Sequence, residues 1–405
     1  MGVVLLKFGG TSVGNADKIQ KVADQAIREQ ELGNQVVVVV SAMGKSTDKL
    51  LSLADEITQT PKKRELDMLL ATGEQVTISL LAMALAEKGK DAISFTGFQA
   101  GIETESVHGN ARILDIDSER IREALLAGKI VIVAGFQGIT RDGDITTLGR
   151  GGSDTTAVAL AAELSALKCA ICTDVDGVYT SDPRYIKGAR KLEELTYDEM
   201  LELAHLGAGV LHPRSVEYAK NFRTPLEVRM SHGTEQGTMI KEEMSVEDTK
   251  VVRGVAFEDG ITRITVHWSR KEDMRVSKVF TELAKNAVDV DIIIQGITGL
   301  GHGNLSFTLK TSALLDALAV LEDKKAEIGY EKIESEQELA KVSIVGSGMV
   351  SNPGVAATMF EALTEHQIPI KMISTSEIKV STVVPEREMV KAAQVLHDTF
   401  ELEKA

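Results

Sequence analysis

Lys7 lies at the end of an apolar run, VVLLKF (3–8), and the run is followed by Gly9, Gly10, Thr11 and Ser12. An ammonium at the end of a buried strand needs a partner. It can pair with a carboxylate for structural reasons, or neutralise charge on a transferring phosphoryl group. The two glycines favour the second use, because backbone N–H groups freed at a helix start cradle phosphate oxygens. The spacing is neither G-x-x-x-x-G-K-[ST] nor G-x-G-x-x-G, so the common nucleotide fingerprints are absent. A second cluster is LGRGGSD (148–154). Its glycines open backbone geometries closed to other residues, and Ser153-Asp154 reads as the cap of an Ala-rich helix over 155–166. A cap does not explain Arg150 between glycines, where an exposed fork can grip a substrate carboxylate in bidentate fashion. Glu74, in ATGEQ, is either a solvated helix residue or the partner of a substrate amine. TDVDGVYTSDPR (173–184) gathers Asp174, Asp176, Asp182 and Arg184 at a turn, but lacks the glycine and terminal glutamate of a calcium loop. It reads instead as a nucleotide-edge loop, with Tyr179 against a base and Arg184 near phosphate.

Those residues need a scaffold that gathers them. Over 1–230 the chain alternates short apolar runs with helical patterns. Strands are expected at 3–8, 35–40, 92–95, 130–134, 169–173 and 226–229. A helix over 16–29 carries Ile19, Val22, Ala23, Ala26 and Ile27 on one stripe. Strands apolar on both faces and separated by helices imply an α/β fold with a mostly parallel sheet covered on both sides. Ligands in such sheets sit beyond the carboxyl ends of the strands, which is where GGTS, SAMGKST, GF and TDVDG all fall.

At 405 residues the chain is long enough for two or three domains. Its net charge of −15 argues against nucleic acid or an anionic membrane as the main partner. No apolar stretch is expected to approach about 18 residues, and Met1 leads straight into a strand, so neither a membrane span nor a signal peptide is expected. Cys169 and Cys172 form C-A-I-C inside a strand, without a second pair at metal spacing, and read as buried thiols of a reducing, cytoplasmic protein. His212, just before Pro213 in GVLHPRS, reads as a helix start with no catalytic role.

From about 261 the pattern becomes βαββαβ-like and repeats itself. Segment 274–295 aligns with 354–375 at an offset of 80, matching Phe280 with Phe360, Leu283 with Leu363, Val288 with Ile368 and Ile293 with Ile373. Two copies of a small α+β unit follow, packed face to face or side by side. The second copy ends in a helix over 386–400 with almost no chain left for a last strand, so KVVRGVAF (250–257) is expected to join its sheet.

With KFGGTS, SAMGKSTD, LLATGEQ, SFTGFQAGI, HGNARI, TTLGRGGSDTTA, TDVDGVYTSDPR and the duplicated tail, the chain closely resembles the aspartate kinases, and most of all the lysine-sensitive ones of bacilli. The resemblance covers essentially every residue. It implies an amino-acid-kinase fold over 1–245 and two ferredoxin-like ACT domains, 261–335 and 340–405, the latter with strand 250–257. It also implies transfer of the ATP γ-phosphoryl group to the β-carboxylate of L-aspartate, with Mg²⁺, giving 4-phospho-L-aspartate. That is the first step toward lysine, threonine, methionine and diaminopimelate.

Position by position, the resemblance makes Lys7 and Asp154 catalytic. It gives ATP the residues Lys7, Phe8, Gly9, Gly10, Thr173, Asp174, Tyr179, Asp182 and Arg184. Aspartate receives Ser41, Thr47, Glu74, Phe136, Arg150 and Ser153. No metal site built from protein side chains is assigned. Relatives often carry lysine in GAKVLHP as an ATP contact, where this chain has Gly209. The second repeat keeps the ACT proline-glycine turn at Pro353-Gly354, whereas the first has Asp273 and Met274. The effector expected is lysine alone, with lysine plus threonine as the alternative. Its contacts are assigned to Asp273, Met274, Gln295, Asn352, Ser374 and Thr375. An oligomer is expected, either of identical chains or with a short ACT-only subunit started at Met244. The rival functions are an acetylglutamate or glutamate kinase, and a non-catalytic amino-acid sensor.

Overall fold

The structure is a computed structural model that describes residues 2–206, 209–233, 235–242, 250–270, 274–297 and 303–404. The chain divides into two compact units, one comprising Met1–Tyr179, Lys191–His205 and Gly209–Asp248, the other Thr180–Arg190, Leu206–Ala208 and Thr249–Ala405.

The first unit is built on an eight-stranded sheet. Its order is Glu194–Thr196, Thr238–Lys241, Leu226–Met230, Lys168–Thr173, Val3–Phe8, Gln35–Val40, Ile130–Ala134 and Ala92–Phe95. Every neighbouring pair is parallel except Leu226–Met230 with Thr238–Lys241. The four central strands, three of them rich in valine, leucine or isoleucine, are buried almost throughout, as two-sided coverage requires. One apolar layer packs Leu6, Phe8, Val38, Val40, Ile132 and Ala134 against helices Ala16–Glu31 and Thr72–Glu87. The expected stripe of the first helix is the face buried there. The helical stretch Lys63–Glu87 corrects the expectation that no apolar segment nears membrane-spanning length. It is long and apolar enough by composition, with Glu74 the only charge over residues 69–86. Half of its most apolar window is buried, and Ile78, Leu81 and Leu85 lie in the core. A four-stranded sheet of Ile113–Ile116, Ile102–Thr104, Gln137–Ile139 and Ile145–Thr147 also belongs to this unit.

The second unit has one six-stranded sheet, in the order Ile293–Ile297, Gly303–Lys310, Gly254–Trp268, Lys332–Val345, Lys379–Pro385, Met372–Thr375. The two repeats therefore lie side by side. Two long central strands serve both. Residues 261–267 of the first pair with 332–339, whereas 254–258 pair with 341–345. The register shifts between them, at a bulge where Gly260 adopts φ +62°. The repeat alignment is visible in burial: Leu283 and Leu363 are core residues, and Ile293 and Ile373 both stand exposed on the outermost strands. The copies differ where the sequences do. Gly354 caps its helix at φ +105°, a conformation glycine tolerates, while the first copy caps its helix with Arg275 at φ −111°.

Candidate active site

Phe8, Val40, Ala134 and Cys172 stand abreast, in register across four parallel strands. Whatever follows each strand therefore emerges at one edge, where strand Val3–Phe8 lies between neighbours reached in opposite directions along the chain. Lys7 is one residue inside that edge. Its ammonium lies 2.5 Å from Asp154 Oδ1, with only 11% and 15% of the two side chains exposed. The contact is an ion pair rather than a directed hydrogen bond, because Oδ1 finds no well-aligned donor.

Asp154 gets there because its helix begins earlier than its sequence implies. The helix spans Gly152–Glu163, its cap is Gly151 at φ +67°, and no side chain caps it. The expected capping role of Ser153-Asp154 is thus corrected. A left-handed glycine turns the chain one step sooner, and both residues enter the first turn with their side chains free for other partners. Ser153 Oγ accepts a 2.9 Å hydrogen bond from Ser41 Oγ at the end of the next strand. Phe136, at φ +71°, packs against Gly152, where a Cβ would approach its ring to 2.9 Å. A Cβ on Gly135 would meet Ser153 at 2.9 Å, and one on Gly10 would meet the carbonyls of Ala42 and Gly44 at 2.9 and 3.0 Å. Small residues let three loops approach closely.

Glu74 is not a solvated helix residue; it is 2% exposed. Oε1 accepts the Ala42 N–H at 3.0 Å, and Oε2 is buried with no partner. Burial pushes its carboxyl up to about 7, against the opposing pull of its own N–H and that of Ala42. Thr47 is half-buried in helix Ser46–Ile57. Arg150 is exposed and lines a cleft of about 730 Å³ together with Asn110, Arg112, His212, Arg214 and Tyr218.

The residues read as nucleotide-edge contacts divide between the units. Thr173, Asp174 and Tyr179 belong to the first, Asp182 and Arg184 to the second. Thr173 Oγ1 donates to Asp174 at 3.1 Å, and Tyr179 OH donates to Asp176 at 3.0 Å. The Arg184 guanidinium grips Asp182 with three contacts of 2.6–3.1 Å, holding that carboxyl below its usual range. Gly209 has φ +62°, so a lysine at this position would be strained in this backbone.

Among the residues expected to contact an effector, Gln295 and Thr375 occupy equivalent places in the two repeats, on opposite edge strands of one sheet. Met274 lines a surface cavity of about 590 Å³ with Arg275, Lys278 and Glu327. Ser374 is half-buried, and Asn352 donates to the Gly348 carbonyl at 2.8 Å. Asp273 and Met244 lie outside the described residues.

Sequence reasoning passed over three organising groups. Asp67, 1% exposed, accepts from Thr147 Oγ1 at 2.6 Å and from the Gly109 N–H at 3.0 Å, and meets His108 Nδ1 at 2.9 Å. A carboxylate three residues before Leu70 on an apolar stripe was its available signal. Arg214 donates to the carbonyls of Leu148 and Ala111 at 2.8 and 2.7 Å, bracing the LGRGGSD loop. Gln137 donates to the Ala71 carbonyl at 2.9 Å. His212 caps helix Pro213–Phe222, and burial lowers its pKa.

Residues 2–229 match the amino acid kinase family, and 342–400 match the ACT domain. Aspartokinase 2 of Bacillus subtilis is 64% identical, aligned over all of this chain and 99% of its own. This chain belongs to the aspartokinases. Among solved structures, E. coli aspartokinase III in complex with aspartate and ADP, in its R-state, superposes with a TM-score of 0.80 at 26% identity, covering 98% of this chain and 99% of that one. The same enzyme with lysine and aspartate, in its T-state, gives 0.78 at 27% identity and the same coverage. The amino-acid-kinase fold, the C-terminal ACT domain and the ATP-dependent kinase class expected from sequence are those of this family.

Proposed function

We propose that this aspartokinase transfers the γ-phosphoryl group of ATP to the β-carboxylate of L-aspartate, giving 4-phospho-L-aspartate and ADP, at the strand edge around Lys7. The observation that carries the proposal is the part-buried Lys7–Asp154 pair at the head of four aligned parallel strands. The nucleophile is a carboxylate with a free pKa near ~4, so it is ionised at neutral pH and needs no general base. That fits His212, which lies beside Gly151, serving as a helix cap. What the reaction needs is suppression of repulsion between two anions, and alignment. Lys7 supplies a positive charge, and Asp154 fixes where it points. The Gly9–Gly10 turn offers backbone N–H groups to ATP, and Thr173, Asp174, Tyr179, Asp182 and Arg184 its outer contacts.

Arg150 takes a carboxylate of aspartate and Glu74 its ammonium, while Ser41, Thr47, Phe136 and Ser153 shape the pocket. An unpartnered oxygen at Glu74, 98% shielded, is what an amine-binding carboxylate looks like. Mg²⁺ would enter with the nucleotide, as it does where it is held by substrate phosphates rather than by a dedicated protein cage. When bound it neutralises charge across the β- and γ-phosphates.

Residues 1–245 form the kinase domain, 261–335 the first ACT domain, and 340–405 with 250–257 the second. Lysine is the effector, acting by binding one conformation more tightly than another; the lysine complex of the E. coli enzyme supports that choice. The edge strands carry exposed Ile293, Ile294 and Ile373. Unpaired apolar edges favour assembly through the ACT domains, with a second copy or a short subunit. The reaction is the cytoplasmic first step toward lysine, threonine, methionine and diaminopimelate. An ADP-release assay with aspartate, titrated separately with lysine and threonine, tests both halves. Inhibition by threonine alone would overturn the effector, and ADP release indifferent to aspartate would overturn the substrate.

A further inference from the structure

Residues Thr180–Arg190 leave the first unit and are part of the second. Tyr179 and Lys191, at the base of this excursion, pair with each other as an antiparallel bridge. Within the second unit the segment is fastened at several independent points. The Val255 N–H donates to the Thr180 carbonyl at 2.7 Å, and Ser181 Oγ donates to the Val255 carbonyl at 2.8 Å, tying the segment to the start of the long strand Gly254–Trp268. Ile186 is 2% exposed in a core shared with Val255, Leu363 and Leu396. Tyr185 stands edge-on to Phe257 with centroids 5.8 Å apart.

The last helix, Met389–Thr399, provides two more points. The Gln394 amide reads both backbone groups of Lys187, accepting its N–H at 2.8 Å and donating to its carbonyl at 3.1 Å. His397, fully buried, places Nε2 2.9 Å from Thr180 Oγ1. Thr180 Oγ1 also accepts the Arg190 N–H at 3.0 Å, closing the base of the excursion. The other ring nitrogen of His397 is buried without a hydrogen bond; its nearest acid, Asp398, is 4.0 Å away. A histidine so placed holds one oxygen and does little else.

We infer that Gln394 and His397, on the last helix of the second ACT module, are positioning residues for the nucleotide-edge segment, setting where Asp182 and Arg184 are held. The inference rests on the nucleotide role proposed above for those two residues. It follows from continuity: the segment that carries them has its core residue, its hydrogen bonds to Val255 and its two side-chain clamps in the second unit. Any movement of that helix relative to strand Gly254–Trp268 must be taken up by the segment, because Thr180 is tied to both. ATP affinity is therefore the quantity that these clamps are expected to set.

Thr180→Val, which keeps shape and loses the hydroxyl, and Gln394→Glu, which keeps the acceptor and replaces the donor by a carboxylate facing the Lys187 carbonyl and Asp398, test this in the full chain, with Thr180→Ser as the rescue. Hydrogen exchange of peptides covering 180–190, the Kd for ATP with magnesium, and KM for each substrate are measured. Exchange is expected to rise in Thr180→Val and Gln394→Glu. Kd and KM for ATP are expected to rise roughly three- to tenfold, the worth of one lost neutral hydrogen bond. KM for aspartate should stay within twofold, and Thr180→Ser should return to wild-type values. Unchanged ATP binding with raised exchange, or equal rises in both KM values, would overturn the inference. Should wild-type protein bind ATP without aspartate-dependent turnover, the proposed reaction fails, while exchange and Kd still decide the role of the clamps.

Discussion

Replacing Glu74 by glutamine tests whether that carboxyl is held ready for a substrate cation. Its pKa is pushed from an ordinary 4.5 to about 7 by burial. The folded state therefore binds the proton more tightly than the unfolded chain does. The resulting stability is fully present below pH 4.5 and is lost as pH rises through 7. Linkage across that gap gives a loss of roughly 2–3 kcal/mol between pH 5 and pH 8 in the substrate-free protein, or roughly 5–10 °C in the melting temperature of a unit this size. Glutamine cannot ionise and loses this slope. Its orphan amide costs the same at both pH values and cancels in the comparison. Melts of wild type and Glu74→Gln, followed by circular dichroism at pH 5 and pH 8, should diverge by that amount, with the variant gaining relative stability at pH 8. Saturating aspartate should restore the wild type at pH 8, because an ammonium beside Glu74 pulls its pKa back down, and should do far less for the variant. Two melting curves that run parallel from pH 5 to pH 8 would refute a carboxyl strained by burial. The same divergence without any aspartate effect would leave Glu74 a structural acid only.

Three further outcomes follow from the same geometry. Lys7→Ala should lower kcat by about 10²–10³ with little change in aspartate KM, as loss of a preorganised charge contact does; steady-state kinetics giving a near-normal kcat would remove Lys7 from the chemistry. Arg150→Lys keeps the charge and loses the planar fork, so aspartate KM should rise by about tenfold or more while kcat changes less; an unaltered KM would mean that Arg150 serves the neighbouring cleft rather than the substrate. Gly151→Ala must accept φ +67° and a Cβ only 2.3 Å from His212 Cγ. It should cost about 1–3 kcal/mol and lower the melting temperature, measurable by calorimetry; a melt like wild type would show that the loop relaxes freely.

Much of the scaffold was legible because its signals were local. Runs such as QVVVVV and IVIVA can hardly be anything but buried strands, and the offset of 80 disclosed the duplicated module. The four-stranded sheet was not legible: Ile102–Thr104, Gln137–Ile139 and Ile145–Thr147 are three residues each, too short to show alternation. Ser153-Asp154 looked like a helix cap because short polar side chains before an Ala-rich run are the usual capping signal, and only the left-handed turn at Gly151 shows that the helix starts one step sooner. The burial of Glu74 could not be read from its own helix, since the groups that cover it arrive from the end of another strand. In the same way TDVDGVYTSDPR announced a polar loop but not its partner. Its second half is held by strand Gly254–Trp268 and helix Met389–Thr399, more than seventy residues further along the chain.

The central claim is that a side-chain carboxylate of aspartate attacks the terminal phosphorus of ATP at the Lys7 edge. Trapping the product with hydroxylamine measures this directly, with ATP and magnesium present and either aspartate or glutamate as acceptor. Hydroxamate should form with aspartate and stay at background with glutamate. ATP that binds yet never yields hydroxamate from aspartate would contradict the account.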